Sequence, residues 1–340
     1  MLRNSSFTLL LLLMNFVVLA QEKPVVLLSN HTYSSASQFI GKIVSNAEDT
    51  KFKLSGENAS LFRIKKGELF INQKNVNGLA KWYDLTIIAK SKSGSVEETF
   101  RILKDDFNKN NVIAHRGAWK NTNASENSIA SLQHAISMGC HGSEFDVHMT
   151  SDSVLVVNHD ADFHGKHIYN STLSELLPLK LSNGENLPTL KAYLEEGLKQ
   201  NTTKLVLELK PTINKERAIQ SARKVYQMVK SMKAQAWIDY ISFDYDICLE
   251  LLRLDPFARV AYLNGDKSPE LLAADKLWGF DYNLNVFKKN PSWIEQAKKE
   301  NLTINVWTVN DAKTLQWFID EKIDFITTNE PELLLKMLGK

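Results

Sequence analysis

The pattern of apolar and polar residues changes twice along the chain. From residue 24 to about residue 103, short β-branched or aromatic runs alternate with turn residues. In 83–89, apolar side chains occur at every second position, which is the period of a half-buried β-strand. Short strands without a long helical repeat are typical of a small β-sandwich. The pattern therefore predicts an all-β domain over 24–104.

A second pattern begins after the polar segment 105–110, which we interpret as a linker. Apolar strands here alternate with amphipathic segments, a βα rhythm that is typical of a parallel sheet. The eight expected strands are 111–115, 143–147, 204–209, 240–243, 259–263, 277–282, 303–308 and 324–327. The run 154–157 lies too close to the second strand for a parallel crossover, so we expect an antiparallel hairpin there. Residues 111–340 are thus predicted to form a (β/α)₈ TIM barrel with a β-hairpin insertion after strand 2.

The first twenty residues have the pattern of a secretory signal peptide. Arg3 is followed by an apolar stretch, and short residues occupy the cleavage positions up to Ala20. The apolar run is interrupted by Asn15 and is shorter than the roughly 20 residues that a membrane span needs. We therefore expect a signal peptide over 1–20, export to the periplasm or the extracellular space, and no transmembrane segment in the mature chain. An uncleaved anchor is the alternative that this length disfavours.

Composition narrows the class of protein. The chain has 340 residues, and 41 Lys and Arg against 39 Asp and Glu leave a formal net charge of +2. Such a balance argues against a protein that binds nucleic acid. The 44% apolar content excludes a mostly disordered chain. The sequence leaves open whether its two cysteines, Cys140 and Cys248, form a disulfide.

Chemically competent side chains are concentrated at the ends of the predicted barrel strands, where the active sites of TIM barrels lie. His115 and Arg116 follow the first strand. Histidine transfers protons near neutral pH, and a guanidinium binds phosphate through two hydrogen bonds, so this pair suits an anionic substrate. The hairpin should bring His159 to about the level of Asp146, which places a second histidine over the same mouth.

Three carboxylates indicate a cation site. Glu144 and Asp146 are two residues apart on one strand, so both side chains project from the same face. Their mutual repulsion would be relieved by a hard cation such as Ca²⁺ or Mg²⁺. Glu208 lies inside a very apolar strand and also needs a partner, while Lys210 shares its face. We therefore predict one bound divalent cation, Ca²⁺ or Mg²⁺.

The barrel region resembles the glycerophosphodiester phosphodiesterase family. The motifs that carry the resemblance occur in order at 115–117, 125–128, 144–146, 159–160, 208–210, 242–243, 306–311 and 326–331. The resemblance implies hydrolysis of a small-molecule glycerophosphodiester to glycerol 3-phosphate and an alcohol. It implies His115 and His159 as the acid and the base, without deciding which is which. It also implies Glu144, Asp146 and Glu208 as metal ligands, with Arg116 and Lys210 on the substrate phosphate.

Several points stay open at the level of the sequence. Phe243 and Trp307 could line the substrate pocket or belong to the core. Ser125 and Ser128 stand where the family motif has Pro and Thr, in a region that we expect to cap a helix without affecting the chemistry. The segment 161–167 also departs from the family, so the headgroup preference is undecided. A lysophospholipase D-type phosphodiesterase and a catalytically dead surface-binding module are the alternative functions.

The N-terminal region resembles a cadherin-type module. The resemblance runs through framework positions such as 39–43, 61–64 and 83–87, which pack strands and carry no chemistry. The acidic calcium-binding motifs that are usual between such modules are not evident. The resemblance therefore implies a fold and no metal site, and we expect a spacer or a domain that docks to a surface or another protein.

Overall fold

The computed structural model describes residues 24–340, so the predicted signal peptide lies outside the described residues. Two four-stranded sheets in 24–104 precede a closed barrel of parallel strands. Among the described residues, no helix has the length and apolar character that crossing a membrane requires.

The N-terminal sheets share one apolar core. Their strands are β1 (Val26–Leu28), β2 (Thr32–Tyr33), β3 (Phe39–Ser45), β4 (Lys51–Ser55), β5 (Phe62–Lys65), β6 (Glu68–Ile71), β7 (Trp82–Ser91) and β8 (Gly94–Lys104). One sheet has the order β1-β3-β6-β5 and the other β2-β8-β7-β4. Along β7, Tyr83, Leu85, Ile87 and Ala89 are buried while the residues between them are partly exposed. This alternation directs one face of the sheet into the core.

The following strands build the barrel and its attachments. They are β9 (Val112–Ala114), β10 (Gly142–Met149), β11 (Leu155–Val157), β12 (Asp162–Phe163), β13 (Lys166–His167), β14 (Lys204–Leu209), β15 (Ile238–Ser242), β16 (Val260–Tyr262), β17 (Gly279–Asn283), β18 (Thr303–Trp307) and β19 (Phe325–Thr328). Eight of them pair in parallel in the order β9-β10-β14-β15-β16-β17-β18-β19, and β19 pairs with β9 to close the ring. The predicted eight-stranded barrel is confirmed. Strand β11 lies antiparallel to β10, with Val157 opposite Val147.

Helices follow the barrel strands, and all but the short helix in the insertion after β11 pack on the outside of the barrel. They are α1 (Ile129–Ser137), α2 (Leu173–Leu176), α3 (Leu190–Gly197), α4 (Lys215–Ser231), α5 (Tyr245–Leu254), α6 (Pro269–Ala274), α7 (Leu284–Lys289), α8 (Trp293–Lys299), α9 (Ala312–Asp320) and α10 (Pro331–Met337). Helix α4 buries Ala218, Ala222, Val225 and Val229, whose spacing of three or four residues aligns them on one face. Apolar burial on that face attaches the helix to the sheet. Cys140 and Cys248 are both buried and not joined in a disulfide.

The N-terminal sheets pack against the barrel. Trp82 on β7 meets Trp237, just before β15, edge to face with 6.1 Å between ring centroids. Lys233 Nζ lies 2.8 Å from Asp84 Oδ2 across the same interface. The segment 105–110 has no regular structure, yet Phe107 is buried in the core of the barrel. The two regions are therefore in direct contact.

Trp82→Ala is expected to destabilise the protein by about 2 kcal/mol, because it leaves a cavity against the fully buried Trp237. Catalytic turnover should be unchanged, since Trp237 lies at the amino end of β15, whereas the predicted site residues lie at the carboxyl ends of the barrel strands. Chemical denaturation measures the stability, and Phe39→Ala, at a side chain that is 43% exposed, is the control. Equal stability of the two variants would contradict a structural role for this contact.

Candidate active site

A cavity of about 150 Å³ opens at the carboxyl ends of the barrel strands. Among the residues that line it are eight of the nine predicted site residues, namely His115, Arg116, Glu144, His159, Glu208, Lys210, Phe243 and Trp307. The ninth, Asp146, is buried beside the cavity, and its Oδ1 lies 2.7 Å from Lys210 Nζ. The structure therefore brings all nine predicted residues together.

The three acidic residues form one buried cluster. Asp146 and Glu208 are direct neighbours in the parallel pairing of β10 and β14, and Glu144 precedes Asp146 on the same face. Each of the three carboxylates has an oxygen within 4.8 Å of an oxygen of the other two. Burial, together with the charges of Asp146 and Glu208, raises the pKa of Glu144 well above its ordinary value. Burial and the charge of Asp146 also raise the pKa of Glu208, to about 7.

This cluster fits a divalent cation. Its donors are carboxylate oxygens, the ligands that Ca²⁺ and Mg²⁺ prefer. Glu144 Oε1 is buried and has no hydrogen-bonding partner among the described residues. An unpartnered buried carboxylate oxygen costs free energy, and a bound cation would remove that cost. The acidic cluster could therefore bind a metal ion.

Lys210 partly neutralises the cluster. Its Nζ lies 2.7 Å from Asp146 Oδ1 and 2.6 Å from Glu208 Oε1. Burial alone would lower the pKa of Lys210, but these two carboxylates raise it above the ordinary value. The ammonium also keeps the pKa of Asp146 low despite burial. The structure thus places Lys210 on two of the predicted metal ligands, and its contact with a substrate phosphate stays a prediction.

Arg116 is positioned by a tight turn after β9. Its φ of +57° and the φ of +78° at Gly117 both lie in the left-handed region. A Cβ on Gly117 would come within 2.4 Å of Ser131 Oγ, so the turn requires glycine. The backbone N–H of Arg116 donates to Glu144 Oε2 at 2.8 Å, and its Nη1 donates to Glu126 Oε2 at 2.9 Å. The turn therefore directs the guanidinium along the wall of the cavity.

The hydrogen bonds of His115 determine its tautomer. His115 Nδ1 lies 2.7 Å from Asn329 Oδ1, and an amide oxygen only accepts hydrogen bonds. Nδ1 therefore carries the hydrogen, and Nε2 keeps its lone pair. Burial and the neighbouring Arg116 charge lower the pKa of His115 to about 4. His115 is thus a neutral imidazole near pH 7, with Nε2 3.9 Å from Glu144 Oε2.

His159 has a different partner. Its Nδ1 lies 2.7 Å from Asp160 Oδ1, and a carboxylate also accepts, so Nδ1 again carries a hydrogen. The side chain of His159 is 34% exposed, twice the 17% of His115. Behind it, His148 Nε2 lies 3.1 Å from the backbone oxygen of His159. His159 therefore lines the more exposed part of the cavity, and the Asp160 carboxylate lies behind its ring.

Reasoning from the sequence missed four residues that hold the predicted ones. They are Asn329 and Asp160 behind the two histidines, Glu126 on Arg116, and Asn127 on Asp146. Asn127 Nδ2 donates to Asp146 Oδ2 at 2.8 Å, and the Asp146 N–H donates back to Asn127 Oδ1 at 3.0 Å. All four lie within the motifs of the family resemblance, and this position in the motifs is what could have indicated them from the sequence.

The opposite wall of the cavity is largely apolar. The rings of Phe243 and Trp307 meet edge to face, with 5.5 Å between centroids. Trp307 Nε1 donates to the backbone oxygen of Asp281 at 2.9 Å. Burial and the Glu208 charge raise the pKa of Asp281, an acid that the sequence did not single out, well above its ordinary value. A substrate thus meets charged groups on one side and aromatic rings on the other.

Comparison with known proteins identifies the family. The profile of the glycerophosphoryl diester phosphodiesterase family matches residues 115–333, more than half of the chain. The chain belongs to this family. The membership also confirms the predicted enzyme class, glycerophosphodiester phosphodiesterase.

Two individual proteins agree with this assignment, and a third shares the fold. A glycerophosphodiester phosphodiesterase from Parabacteroides distasonis, of known structure, is 47% identical with a TM-score of 0.67, over 68% of this chain and 98% of that one. A glycerophosphodiester phosphodiesterase from Caldanaerobacter subterraneus is 29% identical over 67% of this chain and 98% of its own length. The fold is also that of an Oleispira antarctica phosphodiesterase solved with its product sn-glycerol-3-phosphate, at 23% identity and a TM-score of 0.59 over 68% of this chain and 97% of that one.

We predict that the affinity for Ca²⁺ or Mg²⁺ rises with pH, because Glu208, with a pKa of about 7, must lose its proton to bind a cation. Below that pKa, the apparent Kd should increase by up to about tenfold for each unit by which the pH falls and for each proton that the cation must displace. Titration calorimetry between about pH 6 and pH 8 measures this effect. In metal-free protein, stability should fall as pH rises from the ordinary glutamate pKa towards 7, since the folded state holds the proton more tightly. A Kd independent of pH would contradict the prediction.

Proposed function

We propose that the protein hydrolyses glycerophosphodiesters to glycerol 3-phosphate and an alcohol, with a divalent cation and two histidines. The observation that carries the proposal is the convergence of two imidazoles, three carboxylates and a guanidinium on one cavity, in a member of this family. Hydrolysis of a phosphodiester requires compensation of the negative charge on phosphate and two proton transfers. The cation and the guanidinium would supply the first, and the two imidazoles the second.

The anionic part of the substrate is proposed to bind on the charged wall. Glu144, Asp146 and Glu208 would hold one Ca²⁺ or Mg²⁺, which when bound acts as a Lewis acid towards phosphate oxygens. The Arg116 guanidinium, held by Glu126, offers its remaining N–H groups to the same oxygens. Arg116 Nε is buried, has no hydrogen-bonding partner among the described residues and lies 3.8 Å from Asp146 Oδ2.

We assign the general base to His115. Since Asn329 accepts the hydrogen of Nδ1, the lone pair of His115 Nε2 is available to take a proton from the nucleophile. The low pKa of the ring keeps it in this neutral form at the working pH. The nucleophile is either water, which gives glycerol 3-phosphate directly, or a neighbouring hydroxyl of glycerol. The hydroxyl would form a cyclic phosphate as the alcohol departs, and water would then open this ring to glycerol 3-phosphate.

We assign the general acid to His159. The Asp160 carboxylate accepts the hydrogen of Nδ1 and fixes the ring, which leaves His159 Nε2 to give a proton to the departing alcohol. The greater exposure of His159 also fits a proton donor that is recharged from solvent between turnovers. The proposed base, His115, is thus held by an amide oxygen, and the proposed acid, His159, by a carboxylate.

The N-terminal region and the location of the protein are part of the proposal. We infer that residues 24–104 form a cadherin-like module that serves as a spacer or docking domain, supported by the two stacked sheets and the resemblance of their framework positions. Export to the periplasm or the extracellular space is proposed from the signal-peptide pattern of 1–20.

A turnover assay tests the proposed substrate class. Glycerophosphocholine, glycerophosphoethanolamine and lysophosphatidylcholine are each incubated with the protein in the presence of Ca²⁺, Mg²⁺ or EDTA, and glycerol 3-phosphate is measured. We expect turnover of the two glycerophosphodiesters with a divalent cation and loss of turnover with EDTA. Preference for lysophosphatidylcholine would favour the lysophospholipase D-type activity, and no turnover of any substrate would favour a non-catalytic module.

His115→Ala and His159→Ala should each lower kcat by about 10² or more on a substrate with an alcohol leaving group. With a p-nitrophenyl leaving group, which departs without protonation, His159→Ala should lose much less activity and His115→Ala should still lose it. Steady-state kinetics on the two substrates measures the difference. Equal losses for both variants on both substrates would show that the assignment of acid and base is wrong.

Glu208→Gln should weaken both cation-dependent thermal stabilisation and turnover, because it removes a charged ligand of the cluster. In the wild type, a cation at a hundredfold excess over Kd should stabilise the fold by about 2.7 kcal/mol. Glu126→Gln, whose carboxylate contacts Arg116, is the control and should affect cation binding less. If EDTA changes neither Tm nor turnover of the wild type, the metal-dependent mechanism is refuted.

A further inference from the structure

A short loop outside the cavity holds the segment that follows β9. We call residues 182–185 the clamp loop. Ser182 Oγ lies 2.6 Å from Ser125 Oγ, and the Asn183 N–H donates to the same Ser125 oxygen at 2.9 Å. Glu185 accepts from the N–H groups of Ile129 at 3.0 Å and of Ala130 at 3.3 Å. The clamp loop thus contacts both ends of the segment 125–130.

The clamp loop is itself held in one conformation. Leu181 and Glu185 are joined by a backbone hydrogen bond of 2.9 Å, and Asn183 Nδ2 donates to Glu185 Oε1 at 2.7 Å. Leu181 packs on a small apolar core formed by residues of the insertion that follows β11. The carboxylate of Glu185 also lies at the N-terminus of α1, where free N–H groups and the helix dipole favour an anion.

Between the two clamped ends lie the residues that orient the site. Glu126 holds the guanidinium of Arg116, and Asn127 exchanges two hydrogen bonds with Asp146. The backbone N–H of Asn127 also donates to the Arg116 oxygen at 2.9 Å. A displacement of this segment would therefore move a proposed phosphate-binding group and a proposed metal ligand together.

The segment needs external support. Asn127 has a φ of +58°, in the left-handed region, where non-glycine residues are uncommon although Asn is among those found there most often. Ser125 is buried, and the clamp loop binds its hydroxyl through both Ser182 Oγ and the Asn183 N–H.

We propose that Ser125 and Glu185 are positioning residues, which hold the segment 125–130 so that Asn127 and Glu126 orient Asp146 and Arg116. This inference deepens the proposed function and rests on it for its consequence in catalysis. Neither residue lines the cavity. Their effect on the reaction passes through the hydrogen bonds of Asn127 and Glu126.

Native-state hydrogen exchange of the full chain tests the positioning directly. In Glu185→Gln and in Ser125→Ala, we expect the amides of Arg116, Asn127 and Asp146 to exchange about tenfold faster than in the wild type. Glu175→Gln is the matched control, because Glu175 caps α2 in the same insertion through Thr172 and does not contact 125–130. Unchanged exchange at the three amides in both variants, or an equal increase in the control, overturns the inference.

The same variants are tested for function. We expect the Kd for Ca²⁺ or Mg²⁺ to rise about tenfold, the usual scale for groups that orient metal ligands. We also expect the decrease in kcat to be larger than the change in KM. The double variant should lose less than the product of the two single effects, since both residues act on one segment. Faster exchange at the three amides without any change in Kd or kcat would refute the catalytic role of the clamp. A wild type that binds no cation and turns over no glycerophosphodiester refutes the proposed function instead, and the exchange result still decides the positioning.

Discussion

Burying Glu144, Asp146 and Glu208 together at one end of the barrel is unfavourable unless their charge is compensated, and the arrangement around them follows from that need. Lys210 approaches two of the three, the Arg116 backbone N–H meets the third, and Asn127 donates to Asp146. Compensation is incomplete, because Glu144 Oε1 has no hydrogen-bonding partner among the described residues. A site that is almost neutralised by its own protein is suited to bind one further positive charge.

The parts of this site that were predictable are those that depend on strand geometry alone. Glu144 and Asp146 had to share a face because side chains alternate along a strand, and Glu208 was conspicuous as an acid in an apolar strand. The barrel itself was readable from eight apolar runs separated by amphipathic segments, and their bounds differ from the observed strands by a few residues at most.

The parts that were not predictable depend on closure of the barrel and on turn conformation. His115 and Asn329 are 214 residues apart in sequence and meet only because β19 pairs with β9. Asn127 reaches Asp146 from a left-handed backbone conformation, which the residue type alone does not require. The contact of Trp82 with Trp237 joins two regions whose strand patterns carry no information about each other. Each of these contacts depends on the tertiary structure, and the local pattern of apolar and polar residues does not predict it.

The position of the Lys210 ammonium bears on whether folding would depend on a cation at the acidic cluster. Small zinc domains have no internal substitute for the metal and stay unfolded until it binds. In this barrel the lysine that directly follows β14 already lies within 2.7 Å of carboxylate oxygens of Asp146 and Glu208, and this internal positive charge favours pairing of the strands without an ion. Assembly of the barrel would then not depend on the supply of an ion, and a chain made where free divalent ions are scarce could reach its native topology and bind a cation later.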